Sequence, residues 1–359
     1  IITDFETGVV MMEKNADELM VPSSMSKLMT VFMVFEKLKT GAWHFDDQLP
    51  VSETAWKKHF KSEGSTMFLP VNSTASVGDL LKGVVIQSGN DACTVLAEAY
   101  SGSEEAFAEE ATRRARQLGL TRSTFRNASG WPEPDHLTTA RDLSVLARHL
   151  IADFPDYYPL FSQKDFVFNG IKQGNRNPLL YSTAGADGLK TGHTEAGGFG
   201  LTASIKRGDR RIIMVLNGIR GEKPTSESGM KARAEEAQRL AEWAFREWGR
   251  YSLFRAGDVV VPDAAVWMGE QPTVALMPMG AVDTTLPRRS RPDMKVSVVY
   301  TGPLPAPIKA GAEVAKLVIT APGTAPVELP LVAAADVPRL GFGGRLLATV
   351  RGLFTGPAR

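Results

Sequence analysis

A single cysteine, Cys93, is all the thiol chemistry in the 359-residue chain. No disulfide can form within it, and a cysteine zinc cluster is excluded. The compartment stays open on that ground, because oxidising surroundings permit disulfides without requiring them. The histidines at 44, 59, 136, 149 and 193 include no His-Glu-X-X-His pair, which removes a helical zinc-peptidase site. No metal or other cofactor is expected. Charge of one sign is lacking too. The 41 basic and 40 acidic residues leave a formal net charge of +1, so no bulk electrostatic footprint points to nucleic acid. Long apolar segments are missing: the strongly apolar run from Leu28 to Phe35 is closed by Lys27 and Glu36, far short of the roughly 20 residues that span a bilayer. The chain opens on Ile1-Ile2-Thr3-Asp4, with no Met, basic segment or cleavage site, so a signal peptide is expected to be absent or already removed.

What is present reads as globular protein: 43% hydrophobic and 23% charged residues, over a length that suggests two domains. Ile1 to Phe5 and Val9 to Met12 flank a turn and read as short strands. Pro22 and two serines precede an apolar helix from Met25 to Lys39, closed by Thr40-Gly41. Residues 77 to 100 give a helical pair around Ser88-Gly89-Asn90. Glu104 to Leu118 and 138 to 151 give further helices, the first with its acids early and arginines late, as the helix dipole prefers. Phe199 to Ile205 and Arg211 to Leu216 form a hairpin around Lys206-Arg207-Gly208-Asp209, and Lys231 to Trp248 is a long amphipathic helix. Such a mixture argues for an antiparallel sheet with helices packed on it. Beyond Tyr251 the texture changes to short Val-rich strands, at 258 to 262 and 295 to 300, an all-β module with the Pro-, Ala- and Gly-rich stretch near 301 to 330 read as turns between strands. The tail from Pro338 to Arg359 has four arginines and no acid, with apolar residues at helical spacing. A helix over 341 to 354 would be about 21 Å long, suited to lying in a membrane interface rather than crossing it; a helix docked on the second domain is the alternative reading.

Ser24-Met25-Ser26-Lys27 puts a hydroxyl and an amine one helical turn apart, where Lys27 can take the proton of Ser24. The pattern alone is weak, and Ser228-Gly229-Met230-Lys231 repeats it in a polar stretch with no apolar run to keep it dry. Ser88-Gly89-Asn90 adds a second hydroxyl and a carboxamide, although Ser-Gly-Asn is also good turn chemistry. Lys-Thr-Gly occurs twice. At Lys39-Thr40-Gly41 the glycine ends a helix; at Lys190-Thr191-Gly192 the motif leads into the Gly198 hairpin and can lie on a strand edge.

In order, Ser24 to Lys27, Ser88 to Asn90 and Lys190 to Gly192 form the set shared by β-lactamases and penicillin-binding proteins. The sequence resembles the low-molecular-mass penicillin-binding proteins that act as D-alanyl-D-alanine carboxypeptidases. The resemblance rests on Pro22 to Thr30, Gln87 to Ala92 and Asp187 to Thr194. It implies an α+β, penicillin-binding/serine β-lactamase-like catalytic domain over residues 1–251, with an antiparallel sheet flanked by helices and a helical subdomain. A small all-β domain over 252–337 and an amphipathic anchor helix over 338–359 follow.

The resemblance also implies roles. Ser24 attacks the bond between two D-alanines, neutral Lys27 is the base, and Ser88 relays a proton to the leaving amine. Asn90 holds the substrate amide. Lys190, Thr191 and Gly192 bind the terminal carboxylate with help from Arg233, and the backbone N–H groups of Ser24 and His193 form the oxyanion hole. The His193 side chain itself is read as packing. Arg176 and His136 match positions near the cleft with roles left open, and Cys93 is read as core. Peptidoglycan stem peptides are the implied substrates and β-lactams the covalent inhibitors. The implied location is the outer face of a bacterial cytoplasmic membrane, with the tail on the membrane surface. A serine β-lactamase is the nearest rival, but no Glu-X-X-Leu-Asn segment lies between Asn90 and Lys190. A D,D-endopeptidase and a catalytically idle binding protein remain as alternatives.

Overall fold

The computed structural model describes residues 1–344, so most of the tail read as an anchor helix lies outside the described residues. The chain divides into a compact unit of Ile1–Phe245 and a second beginning at Arg246. Among the described residues no helix is long and apolar enough to cross a membrane.

In the first unit, β1 (Ile2–Asp4) and β2 (Val10–Met12) form the opening hairpin, and a 3-10 turn over Ser23–Ser26 runs directly into α1 (Lys27–Lys39). Every residue of α1 from Lys27 through Phe35 is buried, and a helix apolar on all sides belongs at the centre of a domain. Phe32 and Phe35 both meet Phe154 edge to face, with ring centroids 5.1 and 5.5 Å apart. Around α1 stand α2 (Glu53–His59), α3 (Val77–Lys82), α4 (Asn90–Ser101), α5 (Glu104–Gln117) and α6 (Ala140–Asp153). Ser52, Ser76, Ser103 and Thr139 cap four of these helices, each side-chain oxygen accepting a first-turn backbone N–H.

Two small hairpins, β3 (Gln48–Pro50) with β4 (Thr74–Ser76) and β5 (Asp165–Phe168) with β6 (Ile171–Gly174), decorate this body. After the short α7 (Leu179–Ser182) come β7 (Ala186–Thr194), β8 (Gly198–Arg207), β9 (Arg210–Ile219) and α8 (Ser226–Glu247). The main sheet has the order β2-β1-β9-β8-β7 and is antiparallel throughout. Its strand β8 is buried from Gly198 to Ile205, because elements cover both faces. That is why this stretch reads as continuous apolar sequence rather than alternation. Strand β7 is an edge of the sheet.

The second unit holds β10 (Trp248–Phe254), β11 (Val261–Trp267), β12 (Thr273–Pro278), β13 (Val282–Pro287), β14 (Lys295–Val299), β15 (Leu304–Pro305), β16 (Glu313–Thr320) and β17 (Val327–Ala333). Strands β10 and β13 pair, and the other six make a sheet in the order β14-β16-β17-β12-β11-β15. Leu276, Leu317 and Leu331 are fully buried between them.

Several local expectations need correction. The strand expected at 258 to 262 starts only at Val261. The stretch near 301 to 330, expected as turns between strands, also contains β16 itself, where Ala315, Leu317 and Ile319 alternate inward; this strand was not placed because the Pro and Gly on either side masked its period of two. The long helix begins at Ser226, five residues before Lys231. The helices and hairpins at 48–59, 74–76, 165–174 and 179–182 were not anticipated, since elements this short carry too little periodicity to resolve.

Candidate active site

The turn over Ser23–Ser26 presents Ser24 at the mouth of α1, and one turn later Lys27 reaches back to it, Nζ lying 2.9 Å from Ser24 Oγ. Lys27 is 0% exposed. Its amine donates to Asn90 Oδ1 at 2.7 Å and to the Ser129 carbonyl at 2.6 Å. Both are acceptors only, whereas a hydroxyl can also donate. A neutral amine has two N–H groups and one lone pair, so this trio of partners fits it: two bonds to the obligate acceptors, and the lone pair turned to the Ser24 hydroxyl. Burial, the largest effect, lowers the Lys27 pKa to about 8, which makes the neutral form accessible near physiological pH.

The segment that brings Asn90 here is strained. A π-type turn over Gly83–Gln87 ends at Ser88, whose φ of 67° lies in the left-handed region, and α4 then starts at Asn90. Such backbone costs of order 1 kcal/mol or more in a non-glycine residue. It is held by the Gly89 N–H on the Gly83 carbonyl at 2.9 Å and the Asn90 N–H on the Ser65 carbonyl at 2.7 Å. Ser88 Oγ accepts a bond from Lys190 Nζ at 2.9 Å, and the same amine donates to the Thr191 carbonyl at 3.1 Å. Lys190 comes from the edge strand β7, which packs against the Ser23–Ser26 turn. Its pKa is pushed well below the usual value, first by burial and then by the Lys27 and Arg176 charges.

A cavity of about 600 Å³ opens over these groups. Ser24, Ser88, Asn90, Thr191, Gly192, His193, Arg176 and Arg233 all line it. The two lysines lie behind its wall and reach it through the hydroxyls of Ser24 and Ser88. Arg233, on α8, is buried and donates to the Gly200 carbonyl at 3.4 Å, while its Nε has no hydrogen-bond partner. Burial lowers its pKa to about 10. Among the described residues no carboxylate pairs with it, which leaves a desolvated cation at the cavity edge. The His193 ring stacks on Phe199 at a centroid distance of 3.9 Å. Arg176 donates to Ser65 Oγ at 2.6 Å. Cys93 is buried in α4, its thiol pushed up to about 12 by desolvation.

His136 lies one layer back. Its Nδ1 accepts the Arg126 N–H at 3.2 Å, so the ring proton sits on Nε2, which donates to Ser26 Oγ at 2.6 Å. Burial, reinforced by the Lys27 charge, lowers its pKa to about 4. It braces the Ser23–Ser26 turn as a neutral ring.

Three contributors went unread in the sequence. The Ser129 carbonyl is backbone and carries no sequence signal. It lies in a loop fixed by Asn127, whose Oδ1 accepts the Gly130 N–H at 2.8 Å. Gly130 has a φ of +76°, and a Cβ there would meet the Ser23 carbonyl oxygen at 1.9 Å, so only glycine lets this loop approach the Ser23–Ser26 turn. Glu104 looked like an ordinary acid at a helix start. It is instead buried, accepting the Ala128 N–H at 3.0 Å and pairing with Lys58 Nζ at 2.7 Å. Asp91 accepts the N–H groups of Met67 and Leu69 at 2.9 and 3.1 Å and so fastens the 60–69 loop beside Asn90.

A serine hydroxyl against a buried amine, a second hydroxyl on a second buried lysine, an amide between them and a free cation at one end are the parts of a lysine-assisted serine hydrolase. Comparison with known proteins agrees. Residues 1–220 match the family model of D-alanyl-D-alanine carboxypeptidases of the S11 peptidases, and residues 248–339 match the C-terminal domain of penicillin-binding protein 5. The D-alanyl-D-alanine carboxypeptidase DacC of Escherichia coli is 37% identical over 96% of this chain and 85% of that protein. The crystal structure of penicillin-binding protein 5 from Haemophilus influenzae superposes with a TM-score of 0.85 at 33% identity, covering 94% of this chain and 96% of that one. Penicillin-binding protein D2 from Listeria monocytogenes, solved with ampicillin bound, gives a TM-score of 0.59 at 28% identity over 68% of this chain and 95% of its own. The chain belongs to the D-alanyl-D-alanine carboxypeptidase family of penicillin-binding proteins and is a serine peptidase.

Proposed function

We propose that Ser24 is the nucleophile of this carboxypeptidase, Lys27 its general base and the peptidoglycan stem peptide ending in D-Ala-D-Ala its substrate. One observation carries the assignment: Lys27 Nζ stands 2.9 Å from Ser24 Oγ while its other partners can only accept. Lys27 takes the hydroxyl proton as Oγ attacks the carbonyl of the penultimate D-alanine. The oxyanion forms toward the backbone N–H groups of Ser24 and His193; losing one such donor typically costs about 100- to 1,000-fold in turnover.

Ser88 Oγ accepts from Lys190, so its own proton can point into the cavity and pass to the departing amine as the C–N bond breaks, while the proton that Lys27 took from Ser24 replaces it on Ser88 Oγ and leaves Lys27 neutral again. D-alanine leaves, and water then attacks the Ser24 ester with Lys27 again as base. The desolvated Arg233 and the Thr191 hydroxyl, with Lys190 behind and Gly192 between them, receive the terminal carboxylate. Asn90 donates its amide N–H groups to the substrate backbone while Oδ1 stays on Lys27. An extended peptide can lie along the open edge of β7 in the manner of an added strand.

β-Lactams should acylate the same serine; the relative from Listeria monocytogenes was solved in an ampicillin-bound form. Glu63 and Glu195 line the cavity, but among the described residues no carboxylate hydrogen-bonds Ser24, Lys27 or Ser88, and a long-lived penicilloyl adduct is expected. Such a substrate places the protein outside the cytoplasmic membrane, and the arginine-rich, amphipathic pattern of 338–359 supports attachment to the membrane surface. The test is Ser24→Ala, which should abolish both D-alanine release from a D-Ala-D-Ala peptide and labelling by a fluorescent penicillin. Residual labelling of the variant would assign the nucleophile elsewhere.

A further inference from the structure

Beside the catalytic cavity lies a second one of about 560 Å³. Gly64, Ser65 and Arg176 line both, so the two share a wall, whereas Thr191, His193 and Arg233 line only the first. The second cavity is built on the end of α2 and the loop after it. Trp56 and Phe60 stack with centroids 4.2 Å apart, and Phe60 and Phe68 are each 53% exposed. The loop is not free to fold these rings away, because Asp91 holds the Met67 and Leu69 N–H groups and the Ser65 carbonyl accepts the Asn90 N–H. Apolar rings held open to water give up roughly 25 cal/mol per Å² of burial each could have had.

Charge is also unpaired here. Lys61 Nζ stands 5.3 Å from the Phe60 ring centroid, and Arg176 contacts the neutral Ser65 hydroxyl. Among the described residues neither cation has a carboxylate partner. Glu63 lines the first cavity and not the second; Asp91 does line the second, but its oxygens are taken up by the Met67 and Leu69 N–H groups.

We propose that this second cavity is a subsite for the acyl side of the peptide, taking a segment upstream of D-Ala-D-Ala that carries an aliphatic body and a free carboxylate. The aromatic floor receives the aliphatic part, and Lys61, with Arg176 at the threshold, receives the anion. This rests on the assignment of Arg233 to the terminal carboxylate. With that end fixed in the first cavity, the rest of the substrate leaves Ser24 away from Arg233 and meets the shared wall at Gly64, Ser65 and Arg176.

Three peptides test it: an acetylated tripeptide ending in D-Ala-D-Ala, the same peptide extended by a glutamyl residue with a free carboxylate, and that extension with the carboxylate amidated. The expected order of kcat/KM is free carboxylate, then amide, then unextended. Lys61→Gln should erase the difference between acid and amide, a loss of about fivefold for a partly solvated charge pair. Phe60→Ala should bring both extended peptides toward the unextended one, whose turnover neither variant changes. Equal kcat/KM for all three peptides, or variants that slow the unextended peptide as much, would overturn the subsite. If no peptide is cleaved, the carboxypeptidase mechanism fails instead, and the ranking of affinities for Ser24→Ala protein still decides the subsite.

Discussion

The chain contains Ser-X-X-Lys twice, and the two copies behave as different chemistry. At Ser24 and Lys27 the pair sits where a 3-10 turn enters a fully buried helix, and the amine is closed in by Asn90 and the 127–130 loop. At Ser228 and Lys231 the same spacing falls in the first turns of α8. There Ser228 Oγ accepts the Lys223 N–H at 3.2 Å. Lys231 is 73% exposed and stands 3.8 Å from Glu235, an ion pair of the kind worth about 0–1 kcal/mol. Spacing brings a hydroxyl and an amine onto one helix; burial is what lowers the pKa of the Lys27 amine.

The strongest way to break that contrast is Lys27→Met. General-base removal should lower D-alanine release and penicillin acylation by about 100- to 10,000-fold with the circular dichroism spectrum unchanged, and activity within tenfold of the parent would end the distinction. Arg233→Gln comes next. Loss of a charged hydrogen bond to the terminal carboxylate should reduce kcat/KM by about 10- to 100-fold, and a substrate whose C-terminus is amidated should not feel the change. If both substrates suffer alike, Arg233 serves packing only.

Glu104→Gln sharpens the role of the surroundings. Its carboxylate fastens the loop that offers the Ser129 carbonyl, and its charge raises the Lys27 pKa. The variant should therefore lose about 1–3 kcal/mol of stability and move the acidic limb of the rate profile to lower pH. An unmoved limb would show that the carboxylate does not reach Lys27. The smallest effect belongs to the second copy: Ser228→Ala and Lys231→Met should leave turnover intact and stability within about 0.5 kcal/mol. A lasting loss of activity in either would mean the exposed pair takes part after all.

These contrasts also mark what sequence could carry. Ser24, Lys27, Ser88, Asn90 and Lys190 were legible because motif order along the chain survives without coordinates, and the Phe199 to Leu216 hairpin because both strands are long. The Ser129 carbonyl was illegible because every residue has one. The burial of Glu104 and Asp91 was illegible because burial is a property of the neighbours, not of the residue. The second cavity joins residues 56–69 to Gln87, Asp91 and Arg176, a juxtaposition that only tertiary packing creates. In the second unit, β16 hid between Pro and Gly because turn residues outweigh a short alternation.

If Lys27 works as a buried neutral amine, the pH dependence of Ser24 acylation by a fluorescent penicillin follows the titration of its side chain. With a pKa of about 8, the neutral fraction falls tenfold for each unit below that value, so the second-order rate should rise with slope one up to about pH 8 and then level off. A rate that stays flat from pH 6 to 9 would contradict the account.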